Sequence, residues 1–400
     1  MLIVDAHEDL AWNILTFGRD YTRSAKETRR REVGSQTPIR NDDTLLGWKE
    51  YQRGGVGIVF ASLFASPLRA ILGDWEILHY RDVHQANRLY HAQIDLYERL
   101  ADERSDKFRL IRWRKDLERT LADWEQRIAE LSAETEDHDQ QSNTEHDRQS
   151  ELQSDPQEEE EEEEENIVGP AIGLALLMEG ADAILEAAEV ETWWERGVRM
   201  IGPAWRATVY CGGTLEPGPL TPQGFELLER MADLGMGLDL SHMDEKAVLQ
   251  ALDFYPGALF ASHSNAAALL KNMSSNRHLS DRVIRGVIER NGVIGIVPFN
   301  GFLKGGWKRG DRREEVQMED ILKQIDHICQ IAGDAQHVGL GSDFDGGFGL
   351  QSVPPGIDSI ADLRKLIPAL KEKGYTTTDV SAVMGENWLR VLKQILPEST

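Results

Sequence analysis

Cysteine is nearly absent from this 400-residue chain: Cys211 and Cys329 are its only thiols. Two cysteines do not make a disulfide framework. No apolar run approaches the length of a membrane span, and the first residues lack a basic stretch followed by an apolar one. The expectation is a soluble, cytoplasmic protein. Basic charge is also short, with 44 Lys and Arg against 69 Asp and Glu and a formal charge of −25. Phosphates would be repelled, so neither nucleic acid nor an anionic membrane is an expected partner.

The acidity is uneven. Residues 131–165 hold 16 acids, among them a run of eight Glu, and one base, Arg148, so this tract supplies −15 of the −25. The segment 131–166 is low in complexity and cannot bury enough apolar surface to offset the entropy of ordering. It is expected to be a disordered acidic insertion, solvated and not catalytic, within a single domain spanning 1–400.

The chain is 40% apolar, and outside the acidic tract it is organised as a repeat. Short runs of Val, Ile, Leu and Gly recur at 2–7, 55–65, 171–180, 197–205, 235–242, 257–264, 292–300 and 337–346. They are continuous rather than alternating, as strands buried on both faces of a parallel sheet should be. Amphipathic helical stretches lie between them at 181–197, 221–235 and 280–292, and 74–130 is strongly helical. Residues 19–45 are charged and weakly periodic, and read as a long loop. Eight such β-runs alternating with helices predict an α/β fold, a (β/α)8 TIM-type barrel with the acidic insertion before strand 3. A doubly wound open sheet is the competitor.

In a parallel barrel the chemistry sits at the C-terminal ends of the strands. Strand 1 ends in His7-Glu8-Asp9, strand 3 in Glu179, strand 5 in His242, strand 6 in His263 and strand 8 in Asp343 and Asp345. Alternation along an extended backbone sends His7 and Asp9 the same way and Glu8 the other. His7 and Asp9 can share one cation, His242 and His263 a second, and Glu179 has two oxygens with which to bridge them. Nitrogen and oxygen donors without thiolate suit Zn²⁺, with Mn²⁺, Co²⁺ or Fe²⁺ as alternatives. Two ions roughly 3.5–4 Å apart would hold a hydroxide between them and polarise a carbonyl. Asp343, nearest its strand end, is placed to take a proton from that water. Asp345 reads as a turn or capping residue. His79, His84, His91, His138, His146, His327 and His337 read as structural or solvated.

The ordered set "DAHEDL", "MEG", "LDLSH", "ASHSN", "NRH", "GSDFDG" and "GENWLRVL", spread from residue 5 to residue 391, resembles the membrane (renal) dipeptidases, zinc peptidases among the amidohydrolase-like barrels. The resemblance implies one zinc on His7, Asp9 and Glu179, another on Glu179, His242 and His263, and Asp343 beside the bridging hydroxide. It also implies that Arg277 grips a substrate carboxylate, a role its guanidinium fork suits. Related barrels that bridge their metals with a carboxylated lysine after strand 4 do not fit, because no lysine occurs between Lys115 and Lys246.

One departure stands out. Renal-type enzymes carry a histidine at the end of strand 4 that contacts the substrate carbonyl. Trp205 falls there, and no histidine occurs between His146 and His242. Indole donates one hydrogen bond but is no base. The expected function is a metal-dependent dipeptidase that cleaves the amide bond of dipeptides or N-acyl amino acids, with Arg277 and Trp205 meeting the substrate. Two other readings keep the metals. One is a binuclear hydrolase of another acylated small molecule, a lactone or cyclic amide. The other is a catalytically impaired barrel whose acidic loop recruits a partner. Self-association into a homo-oligomer is compatible with any of them.

Overall fold

The computed structural model describes residues 1–142, 169–271 and 275–398, with side chains between 133 and 142 left out. Eight parallel strands form its centre, and only these are numbered: β1 (Ile3–Glu8), β2 (Val56–Leu63), β3 (Ile172–Glu179), β4 (Val198–Gly202), β5 (Gly237–Asp239), β6 (Leu259–Phe260), β7 (Ile294–Ile296) and β8 (Val338–Leu340). Their hydrogen-bonded order runs β6-β5-β4-β3-β2-β1-β8-β7. The last seam is a single parallel bridge, Ala261 with Ile294, where Ala261 N donates to Val293 O at 2.9 Å and Gly295 N to Ala261 O at 2.8 Å. The result is the expected (β/α)8 barrel, and all eight apolar runs supply its strands. β1, β2 and β3 are buried at every position, which is why their sequences run apolar without alternation.

The lumen has an apolar floor. Val4, Ala6, Phe60, Leu177 and Phe260 meet there, and Trp388, from the C-terminal helix Asn387–Ile395, packs edge-on against Phe60 and Phe260. Trp388 Nε1 donates to Leu340 O at 2.9 Å, and Asn387 Nδ2 to Ala335 O and Val338 O. "GENWLRVL" is therefore a plug fastened to the start and end of β8. Above this floor the lumen turns polar. Along β1 the pairing with β2 shifts register between Asp5 and Glu8. This irregularity lets the inward face pass from Val4 and Ala6 to His7 and Asp9, while Glu8 accepts a hydrogen bond from Tyr51 on the surrounding helix Trp48–Gly54.

Three expectations needed correction. The 19–45 segment is not a plain loop: it holds the helices Ala25–Glu32 and Thr37–Asn41. Ser24 caps the first by accepting from Glu27 N at 3.1 Å, and the three arginines at its end hid its buried side, Ala25, Thr28 and Glu32. The stretch 181–197 is not one helix but two 3₁₀ turns, Ala181–Ala183 and Ala187–Glu189, before a short helix, Val190–Glu195. Glu189 accepts from Leu185 N and Asn87 Nδ2, tying the segment down where a continuous helix would run. Finally, helix Arg114–Ser142 extends into the tract at 131–166 that was expected to be disordered. Its Ala, Glu and Gln residues are good helix formers that extend a helix already begun. The rest of that tract, from 143 on, lies outside the described residues.

Small additions trim the rim. Phe108–Leu110 adds a parallel strand beside β3, and Cys211–Gly213 with Glu216–Leu220 forms a hairpin after β4. Among the described residues no helix is long and apolar enough to cross a membrane.

Candidate metal centre

The C-terminal ends of five strands converge on Glu179. Its Oε1 lies 3.0 Å from His242 Nε2 and 3.3 Å from His263 Nε2, and its Oε2 lies 3.4 Å from His7 Nε2. Asp9 Oδ1 lies 3.7 Å from the same His7 nitrogen. Donor atoms of His7, Asp9 and Glu179, of Glu179, His242 and His263, and of His7, His263 and Asp343 each fall within 4.8 Å of one another. All five residues expected to ligate are thus brought together, and Asp343 stands beside them. In a tetrahedral site with bonds of about 2.1 Å, donor atoms sit roughly 3.4 Å apart, so these spacings suit a cation of that size.

The backbone is bent to achieve this. His242 and Asp343 adopt φ values of 66° and 58°, the left-handed region that non-glycine residues seldom enter. Such strain persists where surrounding structure enforces it, and it concentrates at functional sites.

Protonation favours metal binding at two of the imidazoles. Burial, and then the charge of Arg277, push His242 down to about 4. Burial and His7 hold His263 well below the ordinary range. Both rings are therefore neutral near pH 7, the form that carries a lone pair. Burial opposes ionisation of Glu179, yet His7, His242 and His263 keep it well below the usual carboxylate range. Burial also opposes protonation of His7, but the carboxylates of Glu179 and Asp9 raise it well above normal. Neither ring nitrogen of His7 has a hydrogen-bond partner among the described residues, although it is fully buried. An unpaired buried nitrogen facing two carboxylates fits a cation between them. Burial raises Asp343 well above its usual value, with Asp9 and Glu179 adding to the shift.

A second layer orients the rings. Ser262 Oγ donates to Asp239 and so accepts from His263 Nδ1 at 2.7 Å, leaving Nε2 free to bind. Thr214 Oγ1, from the rim hairpin, lies 3.0 Å from His242 Nδ1. Ser62 Oγ donates to Asp9. Sequence reasoning missed Ser62, Thr214, Asp239 and Ser262; the last two do sit beside recognised motifs, in "LDLSH" and "ASHSN".

Beside the cluster opens a cavity of about 310 Å³, lined by Glu179, His242, Arg277, Asp343 and a wall that includes Phe64 and Trp205. That is the low end of small-molecule sites, about 300–1,000 Å³. Trp205 packs edge-on to Phe64 at 5.1 Å and lies 6.2 Å from the His242 ring. Arg277 is buried, donating from Nη1 to Ser264 Oγ and from Nη2 to His263 O, while its Nε has no partner among the described residues. Asp345 faces away from the cluster. It pairs with Arg19 at 2.9 Å and accepts from Tyr21, Thr44 and Leu45 N, so it fastens the 19–45 segment to the end of β8.

Comparison with known proteins identifies the family and the fold. An uncharacterized protein in the pqqA 5′ region of Klebsiella pneumoniae is 34% identical over 219 residues, 52% of this chain and 77% of that one. Dipeptidase tcpJ of Claviceps purpurea is 32% identical over 176 residues, 44% of this chain but 38% of its own length. A crystal structure described as the dipeptidase AC, a metallopeptidase of family M19, superposes over 99% of both chains with a TM-score of 0.71 at 22% identity, a likeness of fold. Residues 125–398 match the family described as membrane dipeptidase, peptidase family M19. His7 and Asp9 precede that stretch, and the barrel carries them onto the matched Glu179. The chain belongs to the membrane dipeptidase family, peptidase family M19, and with it to the hydrolases of the metallo-dipeptidase type.

Proposed function

We propose that the chain hydrolyses the amide bond of dipeptides or N-acyl amino acids with the help of two divalent cations, zinc by preference. His7, Asp9 and Glu179 would hold one, and Glu179, His242 and His263 the other. When bound, such ions supply an activated water and draw electron density from a carbonyl. The observation that carries the reading is the position of Glu179, whose two oxygens address three imidazoles from three other strand ends.

The remaining steps belong to side chains. Asp343 takes a proton from the attacking water and returns it to the departing nitrogen. Arg277 holds the carboxylate of the leaving amino acid, turning the scissile bond toward Glu179 and Asp343. Phe64 and Trp205 enclose the acyl side and exclude water from it. The test is elemental analysis of the purified protein followed by a dipeptide panel. About two bound ions per chain and turnover of at least one dipeptide are expected. Full metal occupancy with no turnover would retire the peptidase claim.

Trp205 supports a second reading. It follows β4 and lines the cavity, where its indole N–H can donate one hydrogen bond but cannot exchange a proton as a histidine would. A lactone or a strained cyclic amide, more readily opened than a peptide, would need less help there.

A further inference from the structure

We propose that His278 is a second carboxylate-binding residue of the cavity, its ring N–H donating to the same substrate carboxylate that Arg277 holds. The proposal rests on the reading that the cavity takes a carboxylate-bearing substrate, and it adds a residue that neither the metal cluster nor its second layer uses.

His278 lines the cavity, yet it is 8% exposed and neither ring nitrogen has a hydrogen-bond partner among the described residues. The neighbouring Arg277 Nε is in the same condition. Phe302 supports both side chains: the Arg277 guanidinium carbon lies 5.3 Å from its ring centre, and the His278 ring meets it edge-on at 4.6 Å. Most buried side-chain polar atoms are paired, because an unpaired one forfeits its hydration. Two unpaired donors on adjacent residues of one cavity, Arg277 Nε and one N–H of the His278 ring, therefore point to a common acceptor. A phenylalanine would fill the place of His278 without that cost.

The chemistry of the partner follows from charge. Burial, then the charges of Arg277 and His242, push His278 down to about 3, so near pH 7 the ring is neutral and offers one N–H. A cationic group would meet Arg277 and be repelled. A carboxylate satisfies both residues, since its two oxygens present about four lone-pair sites. Arg277 has already committed one N–H from each Nη to Ser264 and His263, which leaves the unpaired Nε and the second N–H of each Nη for incoming oxygens.

The test compares N-acetylglycine with N-acetylglycinamide, by titration calorimetry on the metal-loaded full chain. Wild type should prefer the acid. His278→Phe keeps the ring and its packing on Phe302 but removes the N–H. It should weaken acid binding about tenfold, as loss of one hydrogen bond to a charged group does, and change amide binding less than about twofold. Equal effects on both ligands, no effect on either, or a wild type that binds the acid no better than the amide would overturn the proposal. A measurement on unmutated protein guards against a variant that misfolds: the imidazole ¹⁵N signals of His278 should move with the acid and not with the amide, and signals indifferent to both count against the proposal. A protein that prefers the acid through His278 yet turns over no dipeptide would retire only the peptidase reading.

Discussion

His242 and His263 bring their Nε2 atoms to 2.9 Å of each other, each ring held from behind by a hydroxyl, Thr214 for one and Ser262 for the other. Where each ring carries its proton on Nδ1, toward its hydroxyl, the two Nε2 lone pairs face each other and gain nothing from the contact. What they share is Glu179 Oε1, at 3.0 and 3.3 Å, so the three atoms describe one face of a coordination shell. Asp239 stands behind that arrangement. It accepts from Ser262 Oγ and from the backbone N–H groups of Ser241 and Ser262.

Asp239→Asn removes the acceptor that fixes the direction of the Ser262 hydroxyl, and with it the tautomer of His263. Metal affinity should fall about 10–100-fold, the usual cost of disturbing such a partner. Competition with a metal-sensitive dye measures it. An unchanged affinity would mean that Ser262 alone orients the ring.

Stripping the metal should destabilise the protein, because Asp9, Glu179 and Asp343 would then face one another across a buried space. The thermal midpoint should drop on treatment with a chelator and recover on adding Zn²⁺. Recovery corresponds to about 4 kcal/mol when free metal is 1,000 times its dissociation constant. Differential scanning calorimetry with and without chelator decides it, and coincident melting curves would argue against a cation in this cluster.

Much of this was legible in the sequence, and the reasons are specific. Strands such as Val56–Leu63 and Ile172–Glu179 are buried on both faces, so hydrophobic pressure acts on every residue and leaves an uninterrupted signature. His7, Glu179, His242 and His263 stand out because ligand-type residues end those same runs. The layer behind them was not legible. Ser62, Thr214 and Ser262 are common residue types whose roles depend on which strand lies beside which, and a single chain does not encode that locally. Asp345 shows the same limit. Turn chemistry was expected there, and its φ of 65° fits a turn. Its ion pair with Arg19, 326 positions away in the sequence, exists only once β1 and β8 are neighbours.

That ion pair carries its own prediction. Arg19 and Asp345 are both buried, and Arg19 also donates to Glu32 and to Asp42 O. Replacing Arg19 by Met leaves two buried carboxylates without their cation, a change that typically costs about 3–5 kcal/mol. The urea unfolding midpoint should fall accordingly, and the 19–45 segment should become sensitive to protease while distant segments stay resistant. Unchanged proteolysis would mean that Tyr21 and Thr44 hold the segment without the arginine.

Trp205 offers the sharpest test between the two substrate readings. The residue follows β4 by three positions, packs on Phe64, and carries the Arg206 guanidinium 5.0 Å above its ring. A histidine is smaller, so Trp205→His fits the same space. It brings an imidazole, which unlike the indole can exchange a proton as well as donate toward a carbonyl oxygen as charge develops there, a contribution worth roughly 10²–10³ in rate when such a donor is well placed. If the natural substrate is a dipeptide whose carbonyl is already served by the metals and Arg206, the substitution should change kcat by less than about tenfold and mainly disturb KM, through the lost aromatic wall. If the cavity serves a more reactive acyl compound, dipeptide turnover starts low and should rise about a hundredfold in kcat on gaining the imidazole. Steady-state kinetics of the two proteins on one dipeptide, at matched metal content, separates the cases. A Trp205→Phe control shows how much of any change in KM comes from the shape of the wall rather than from the new nitrogen.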